Sequence, residues 1–327
     1  MLKLTTKQII WPFDGTFVIA RGAQTELPTV RVHLEDGHYT GRGEGVPVRY
    51  LGDSVEAATE QLQSISDSVA DGIGRDDLRR LLPPGAARNA LDAALWDIEA
   101  KRANRRVWEI AGTAVPDGIE SCYTVSLRTP EEMAAQAARH PDFRLLKIKL
   151  GAGEGDDDRI RAVRAARPDA RLIIDANQGW DFARLRRMAP LLEELGVEMI
   201  EQPLPASEDA ALRAYDGAVP LCADETLQGI ESLEGLRDRY AFVNIKLDKC
   251  GGLTEGLEIA RAARDQGLGV MVGSMVGSSL AMAPHAVLAT MAEYADLDGP
   301  LLLADDVQPG IFYEGSVVRA WPPEVWG

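Results

Sequence analysis

From about residue 120 onward, short apolar runs alternate with amphipathic stretches. Runs such as LLKIKL and RLIIDAN have the length of buried strands, and the stretches between them carry apolar residues at helical spacing. One helix start is clear, because Thr129, Pro130 and Glu132 form a capping box with proline at the first helical position. Repeated strand–helix alternation predicts a parallel sheet, and seven or eight such units predict a closed α/β barrel.

A polar side chain lies near the end of each of six successive predicted strands. These residues are Thr124, Lys149, Asp175, Glu201, Asp224 and Lys246, and consecutive members are 22 to 26 residues apart. That spacing is about the length of one strand–helix unit. Because the carboxyl ends of parallel strands meet at one rim of a barrel, we expect these side chains to converge there.

The three central members of this series, Asp175, Glu201 and Asp224, are carboxylates. Converging carboxylates repel one another unless a cation joins them, and a hard divalent ion with oxygen ligands, Mg²⁺ first, fits that need. The alternative is that each carboxylate forms a separate salt bridge or caps the next helix. The regular spacing of all three favours the metal site.

Two lysines flank the acidic triplet along the chain. Lys149 precedes it and Lys246 follows it, which predicts ammonium groups on opposite sides of the barrel mouth. Desolvation and nearby positive charge lower a lysine pKa from its reference value of about 10.4 toward that of a general base. Two such bases on opposite faces would racemise or epimerise a carbon next to a metal-bound carboxylate.

Two more lysines lie close to these presumed bases. Lys147 shares a strand face with Lys149 and is a candidate for extra positive charge in the site. Lys249 could serve the same purpose beside Lys246. A surface position before the Gly251-Gly252 turn is an equally good interpretation of Lys249.

The first 115 residues show a different pattern. Residues 29–47 alternate with glycine and aspartate turn signals, as an antiparallel sheet does, and helical runs follow at 54–70 and 86–103. We therefore predict an α+β unit over residues 1–115, a barrel over 116–304, and a tail over 305–327 that packs back onto the first unit.

Composition limits the classes of function. Hydrophobic residues make up 46% of the chain and charged residues 26%, as in ordinary globular proteins. The net charge of −16 argues against nucleic acid as a partner. No apolar run approaches the roughly 20 residues of a membrane span, and the N-terminus lacks a secretory pattern. Three widely spaced cysteines favour reduced thiols in a cytoplasmic protein.

With KIKL, DANQGW, EQP, ADE and NIKLDKCGG in this order, the chain resembles the enolase superfamily, muconate-lactonising-enzyme subgroup. The resemblance implies a modified TIM barrel, (β/α)7β, with an N-terminal α+β capping domain completed by the C-terminal tail. It also implies Lys149 and Lys246 as the two bases, and Asp175, Glu201 and Asp224 as the ligands of Mg²⁺.

Within this subgroup, ADLDGPLLLA at 295–304 resembles the eighth-strand D-x-D motif of dipeptide epimerases, with Asp296 and Asp298 as its acids. Two carboxylates on one side of a strand could hold the free α-ammonium of a dipeptide. The alternative is a polar turn before Gly299-Pro300. The similarity of MVGSMVGSSLAMAP to the seventh strand of these enzymes implies that Ser274 and Met275 line the pocket. Thr124 and Lys147 complete the expected substrate-binding set.

Two capping loops, 17–26 and 44–53, are expected to cover the barrel mouth. Relatives acting on Ala-Glu bind the side-chain carboxylate through a cation, and Arg21, with Arg49 as second choice, could do so here. A surface position is the alternative for either arginine. Tyr50 could instead close the second loop over an apolar side chain.

The expected activity is Mg²⁺-assisted epimerisation of a dipeptide at its C-terminal residue, with L-Ala-D/L-Glu as a candidate substrate. The rival enzymes are N-acylamino-acid racemase, o-succinylbenzoate synthase and cycloisomerase, whose substrates lack a free ammonium and give Asp296 and Asp298 no role. A different class is a non-catalytic small-molecule-binding barrel. A phosphate-binding barrel lacks support, because no glycine-rich phosphate loop follows the seventh or eighth strand. A homo-oligomer is compatible with the sequence.

Overall fold

An antiparallel sheet and a long helix form the N-terminal cap. The computed structural model of the chain describes residues 1–20, 22–151 and 153–327. The cap strands, in the sheet order β1-β2-β3, are β1 Lys3–Ile19, β2 Gly22–Glu35 and β3 Thr40–Gly45. The cap helices are α1 Val55–Ser64, α2 Ser66–Ala70, α3 Arg75–Leu81, α4 Ala86–Ala103 and α5 Val107–Ala111. The antiparallel sheet and the helical runs therefore lie where the sequence pattern predicts them.

Alternate residues of β3 are glycines that lie directly against α4. A Cβ atom added at any of them would come within 2.2 Å of a backbone carbonyl oxygen of the helix, and these contacts are Gly41–Ala94, Gly43–Ala90 and Gly45–Ala86. Strand residues two apart share a face, as helix residues four apart do. The sheet therefore rests on the helix backbone itself at three successive points.

Eight parallel strands form the barrel. Its strands and helices in chain order, with the short strand β4 before them, are β4 Ile119–Glu120, β5 Tyr123–Val125, α6 Pro130–Ala138, β6 Leu145–Lys149, α7 Asp156–Ala166, β7 Arg171–Asp175, α8 Phe182–Glu194, β8 Val197–Glu201, β9 Leu221–Ala223, β10 Phe242–Ile245, α9 Leu247–Cys250, α10 Leu253–Asp265, β11 Gly269–Val272, α11 Ser279–Ala289 and β12 Tyr294–Ala295. The sheet runs in sequence order from β5 to β12. A parallel bridge between Ser121 and Ala295 joins its first and last strands. The predicted modified (β/α)7β barrel with an α+β cap is confirmed.

Two of the seven connections differ from the predicted pattern. In the described residues, the chain between β8 and β9 contains the 3₁₀ turn Asp209–Ala214, and the chain between β9 and β10 contains the 3₁₀ turns Ile230–Leu233 and Leu236–Asp238. Prolines lie near both ends of the first connection, and glycines interrupt the second. Both residue types disfavour a continuous α-helix.

The tail runs from the barrel back to the cap. Strands β13 Tyr313–Glu314 and β14 Val317–Val318 form a small antiparallel sheet with β4. The buried indole of Trp326 donates hydrogen bonds to the carbonyls of Arg42 and Ala93, and the N–H of Gly327 donates to Asp97 of α4. No helix in the described part of the chain is long and apolar enough to cross a membrane.

The interior of the barrel changes from apolar to charged along its axis. An apolar cluster fills one level, made of Cys122, Leu145, Ile173, Met199, Cys222 and Met271. On β6, alternation puts Lys147 and Lys149 on the same face as Leu145, at successively higher levels. The polar rim predicted from the sequence therefore forms the next layers of the barrel interior.

Candidate active site

A cavity of about 730 Å³ lies between the cap and the carboxyl ends of the barrel strands. The predicted site residues in its wall are Tyr50, Thr124, Lys147, Lys149, Lys246, Ser274, Met275, Asp296 and Asp298. The exposed side chain of Arg49 also contributes to the wall, on the cap side. Arg21, the first choice for binding a substrate carboxylate, lies outside the described residues.

The predicted metal ligands converge at the barrel mouth. Asp175 and Glu201 end β7 and β8, and Asp224 directly follows β9. All three are buried, and one carboxylate oxygen of each lies within 4.8 Å of the corresponding oxygens of the other two. Adjacent strands deliver them at matching register, since Asp175 pairs with Glu201 across β7 and β8. The set offers only oxygen atoms at this spacing, which fits a hard divalent cation such as Mg²⁺.

The two candidate bases lie on opposite sides of this triad. Lys149 ends β6 and Lys246 follows β10, four strands away in an eight-stranded ring. The Lys149 Nζ donates to Asp175 Oδ2 at 2.7 Å, and the Lys246 Nζ donates to Asp224 Oδ2 at 2.8 Å. Each lysine therefore contacts an outer carboxylate of the triad, with Glu201 between them.

Lys147 occupies the centre of the charged layer. Its Nζ lies 2.8 Å from Glu201 Oε2, 2.8 Å from Asp296 Oδ2 and 3.4 Å from Asp175 Oδ2. Burial opposes its positive charge, but the attraction of these three carboxylates outweighs burial and raises the pKa of Lys147 well above its ordinary value. Lys147, in contact with three carboxylates, therefore supplies positive charge at the centre of this layer.

Lys249 is buried, which decides between the two interpretations of its sequence position. Its Nζ donates to Asp224 Oδ1 at 2.5 Å and also to the Asp224 carbonyl. Asp224 thus accepts a hydrogen bond from Lys246 at one carboxylate oxygen and from Lys249 at the other. The surface interpretation of Lys249 is wrong.

The pKa shifts of the triad follow from this distribution of lysines. Burial disfavours the charge on each carboxylate, but Lys149 and Lys147 hold the pKa of Asp175 below its ordinary value, and Lys246 and Lys249 do the same for Asp224. Burial and the neighbouring Asp175 raise the pKa of Glu201 to about 7. Glu201, the middle carboxylate, is therefore the member of the triad whose ionised form a bound cation would stabilise most.

The pKa of Lys246 departs from the sequence-based expectation. Burial lowers it, as expected, but the ion pair with Asp224 has the larger effect and raises the pKa above its ordinary value. The expected shift was based on the positive charges around Lys246 and did not include its direct contact with the Asp224 carboxylate.

The D-x-D acids reach the cavity by a different route from the one predicted. Strand β12 ends at Ala295, so strand alternation does not place them; Asp298 instead begins the 3₁₀ turn Gly299–Leu302. The Thr124 backbone N–H donates to Asp298 Oδ2 at 2.6 Å, while Asp296 pairs with Lys147. The motif is thus a turn that lies in the cavity wall, and its binding of a substrate ammonium stays a prediction.

Burial and the adjacent Asp296 raise the pKa of Asp298 to about 8. The pKa of Asp296 lies below its ordinary value, because the attraction of Lys147 and Lys149 outweighs burial. At neutral pH the pair thus carries about one negative charge, and that charge is on the residue already paired with Lys147. Asp298 is the acid that a ligand cation would ionise.

Two asparagines belong to the site, although the sequence analysis did not single them out. The Asn177 Nδ2 donates to Asp175 Oδ2 at 3.0 Å, and Asn177 lines the cavity. The Asn244 Nδ2 donates to Glu201 Oε1 at 2.9 Å. Strand alternation could have found Asn244, since it lies two residues before Lys246 and must share its face.

The segment after β11 forms the side of the cavity next to the D-x-D acids. Ser274 donates a hydrogen bond to the Asp296 carbonyl at 3.2 Å, and Met275 lines the cavity beside it. Val276 has a φ of +60°, which is strained for a β-branched residue.

At the start of α11, Asp306 of the tail accepts hydrogen bonds from the Ser279 N–H and hydroxyl. This carboxylate occupies the position that an anion would take at the helix N-terminus.

Family models match both parts of the chain. Residues 1–112 match the mandelate racemase / muconate lactonizing enzyme N-terminal domain, and residues 131–318 match the enolase C-terminal domain-like family. Among curated relatives, the L-Ala-D/L-Glu epimerase of Escherichia coli is 42% identical over 92% of this chain and 94% of its own. The N-acetyl-D-glutamate racemase of a Pseudoalteromonas species is 39% identical over 90% of this chain and 94% of its own.

Solved structures agree over nearly the whole chain. An enolase family member from Agrobacterium tumefaciens with homology to dipeptide epimerases, solved with sodium and L-Ala-L-Glu, is 46% identical with a TM-score of 0.97 over all of both chains. A dipeptide epimerase from Methylococcus capsulatus, complexed with Mg and L-Arg-D-Lys, is 32% identical with a TM-score of 0.89 over 98% of this chain and 96% of its own. The cap and barrel, together with the match of both domains, place this chain in the mandelate racemase / muconate lactonizing enzyme family of the enolase superfamily.

Proposed function

We propose that this protein is a Mg²⁺-dependent dipeptide epimerase that inverts the α-carbon of the C-terminal residue, with L-Ala-D/L-Glu as its substrate. The observation that carries the proposal is the placement of Lys149 and Lys246 on opposite sides of three converging carboxylates. The similarity to the Escherichia coli and Agrobacterium tumefaciens proteins supports the dipeptide class.

The two lysines exchange roles with the direction of the reaction. One amine removes the α-proton from one face of the substrate, and the opposite ammonium gives a proton to the other face. Asp175, Glu201 and Asp224 would hold Mg²⁺, which when bound supplies positive charge beside the substrate carboxylate as negative charge builds on it. Lys147 stays protonated and adds a fixed positive charge to the same layer.

The free amino group of the dipeptide is assigned to the D-x-D acids. Asp298 has no cation among the ion pairs of the described residues, and it lies in the cavity wall next to the paired Asp296. A substrate ammonium placed there would ionise Asp298 and gain a hydrogen-bonded carboxylate. The backbone N–H of Thr124 donates to the Asp298 carboxyl group and so fixes the orientation of that side chain.

Glutamate is common to the substrates or ligands named for three of the similar proteins. The Escherichia coli and Pseudoalteromonas enzymes act on Ala-Glu and on N-acetylglutamate, and the Agrobacterium tumefaciens protein holds Ala-Glu. A glutamate side chain needs a cation at the cap side of the cavity. Arg49 is the described candidate, with Arg21 as the sequence-based one.

The second candidate function is N-acylamino-acid racemisation, which the 39% identical N-acetyl-D-glutamate racemase favours. In ²H₂O with Mg²⁺, we expect α-proton exchange with L-Ala-L-Glu to be about 10- to 150-fold faster than with its N-acetylated form, because a lost charge-assisted bond costs roughly 1.5–3 kcal/mol. Asp298→Asn should narrow that ratio mainly by slowing the dipeptide. Equal rates on both substrates would assign the protein to the second candidate.

Affinity for the dipeptide should depend on pH through Asp298. Its pKa of about 8 is above the usual range, so ammonium binding at neutral pH must expel its proton. The KM for L-Ala-L-Glu should therefore fall up to tenfold per unit as pH rises toward 8 and rise again as the substrate amine loses its proton near 7.7–8.0. Calorimetry in buffers of different ionisation enthalpy should detect one proton released at pH 7. Asp298→Asn should show no such release.

Other features of the chain remain predictions. The predicted boundary near residue 115 is supported by family matches that cover residues 1–112 and 131–318, whereas the division of the remaining chain into 116–304 and 305–327 stays a prediction. All three cysteines are buried free thiols, which supports a cytoplasmic location. A homo-oligomer also stays a prediction.

A further inference from the structure

The turn that carries Lys246 is fastened to the cap by a buried aspartate that takes no part in the proposed chemistry. Asp248 belongs to α9 and is buried. Its Oδ1 accepts hydrogen bonds from the Val46 N–H at 2.8 Å and from Asn89 Nδ2 at 2.7 Å. Val46 lies in the second capping loop, directly after β3, and lines the cavity, and Asn89 lies on α4. One carboxyl group thus joins the cap loop, the cap helix and the segment just after Lys246.

The remaining oxygens of this contact are both without a partner. Asp248 Oδ2 and Asn89 Oδ1 are buried, and neither has a hydrogen-bond partner within residues 1–20, 22–151 and 153–327. They are the second oxygen of the acid and the oxygen of the amide that already donates to it. A carboxylate would leave both buried acceptors without a hydrogen bond, which is unfavourable. A proton on Oδ2 supplies the donor that both atoms lack.

The charges around Asp248 also disfavour a carboxylate. Glu44 and Asp53 face it from the cap and repel a negative charge, and together with burial, the largest cause, they raise the pKa of Asp248 to about 7. The lysines on its own turn, Lys246 and Lys249, are both bonded to Asp224.

The other neighbouring elements give Asp248 no cation either. On α4, Arg88 is bonded to Glu255 and to the carbonyls of Cys250 and Gly251. His285 of α11 has a pKa lowered to about 4 by burial, and its Nε2 accepts from the Leu247 N–H. A neutral acid is therefore the form that its surroundings favour.

We propose that Asp248 is a positioning residue that works as a neutral carboxylic acid, paired with the Asn89 amide through two hydrogen bonds, and that this pair holds the capping loop at Val46 in register with the turn that carries Lys246. The pairing does not depend on which substrate binds. Its effect on catalysis rests on the proposed function.

The test is the isosteric exchange Asp248→Asn beside a matched control, Asp97→Asn. An amide at 248 can accept from Val46 and Asn89 through its oxygen and donate to Asn89 Oδ1. Asp97 is equally buried, but its Oδ1 accepts from the Gly327 N–H and its Oδ2 from the Arg42 N–H. Either orientation of an amide at 97 would set two N–H groups against each other. We expect Asp248→Asn to keep the wild-type melting temperature at pH 7 or exceed it, and Asp97→Asn to lower it clearly.

The pH dependence of folding stability provides a second, independent test. A folded-state pKa of about 7, above the unfolded value of about 3.9, means that the stabilisation contributed by protonated Asp248 is lost as pH rises between these two values. The variant lacks this ionisation, so its folding constant relative to wild type should rise up to tenfold per pH unit between pH 5 and 7 and then level off. A ratio that stays constant with pH, or a loss of stability like that of Asp97→Asn, would overturn the proposal.

Catalysis supplies the third reading. Asp248→Ala should lower kcat/KM by about tenfold or more, because loss of the pair displaces the cavity wall. Asp248→Asn should keep kcat/KM within about twofold of wild type, because the amide retains both hydrogen bonds. If the negative charge of Asp248 were the important feature, Asp248→Asn would not do so. If the alanine variant does not fold, Asn89→Ala removes the pair from the other side. Absence of epimerase activity in wild type would refute the proposed function but leave the two stability readings intact.

Discussion

Lys149→Ala and Lys246→Ala should each abolish epimerisation, with kcat lowered on the order of 10³-fold or more, because each removes the proton carrier on one face. The two variants should differ in isotope exchange. In ²H₂O, the lysine that remains can still remove and return the α-proton on its own side. Each variant should therefore wash deuterium into only one of the two substrate epimers, and the epimers should be opposite for the two variants.

This pattern separates catalysis from folding. Both lysines are buried and ion-paired, so a general loss of structure would remove exchange with both epimers in either variant. Lys7→Ala, at an exposed position of β1, is the control for removal of a lysine and should keep wild-type rates. Loss of exchange with the same epimer in both variants would show that the amines do not act from opposite faces.

Glu201→Gln should nearly eliminate both Mg²⁺ binding and activity. The glutamine keeps the shape of the side chain and can still accept from Asn244 through its oxygen, but its NH2 group then faces the Lys147 ammonium, so we expect the folded variant to be less stable than wild type without Mg²⁺. It removes the middle negative charge of the triad, which the neighbouring carboxylates already disfavour. Wild-type protein should gain roughly 2.7 kcal/mol of stability at Mg²⁺ concentrations 100-fold above Kd, and the variant should gain almost none.

Thermal denaturation with and without Mg²⁺ measures this effect without turnover. Because burial and Asp175 raise the pKa of Glu201 to about 7, binding of a cation must displace its proton. Mg²⁺ affinity of the wild type should therefore weaken as pH falls below 7. An equal Mg²⁺-induced shift in both proteins would mean that Glu201 is not a ligand.

The sequence was most informative where strand periodicity and strand order act together. Residues at the ends of consecutive parallel strands must meet at one rim, so Asp175, Glu201 and Asp224 could be placed together without coordinates. The opposite placement of Lys149 and Lys246 follows from the same count, since four strands are half of eight. The antiparallel sheet and the helices of the cap could also be predicted, from the alternation of residues along the strands and from helical spacing.

Side-chain contacts between residues far apart in the sequence could not be predicted. The contact between Asp248 and Val46 spans 202 positions, and no local pattern relates them. The hydrogen bond from Lys246 to Asp224, which raises the pKa of Lys246, could not be foreseen from spacing either. The fate of Lys249 also depended on a single contact that spacing alone does not reveal.

The glycine contacts between β3 and α4 limit how this enzyme can be altered. Two strand residues advance about 6.8 Å and four helix residues about 6.0 Å, so the two backbones keep pace for only a few contacts before they drift apart. No side chain at all fits between them along this seam. Laboratory evolution of the enzyme toward other dipeptides therefore has a rigid frame that it cannot reshape by substitution. Its adjustable positions are residues 17–20 and 22–24 of β1 and β2 and the loop at 46–53, which contribute to the cavity wall from the same end of the cap sheet.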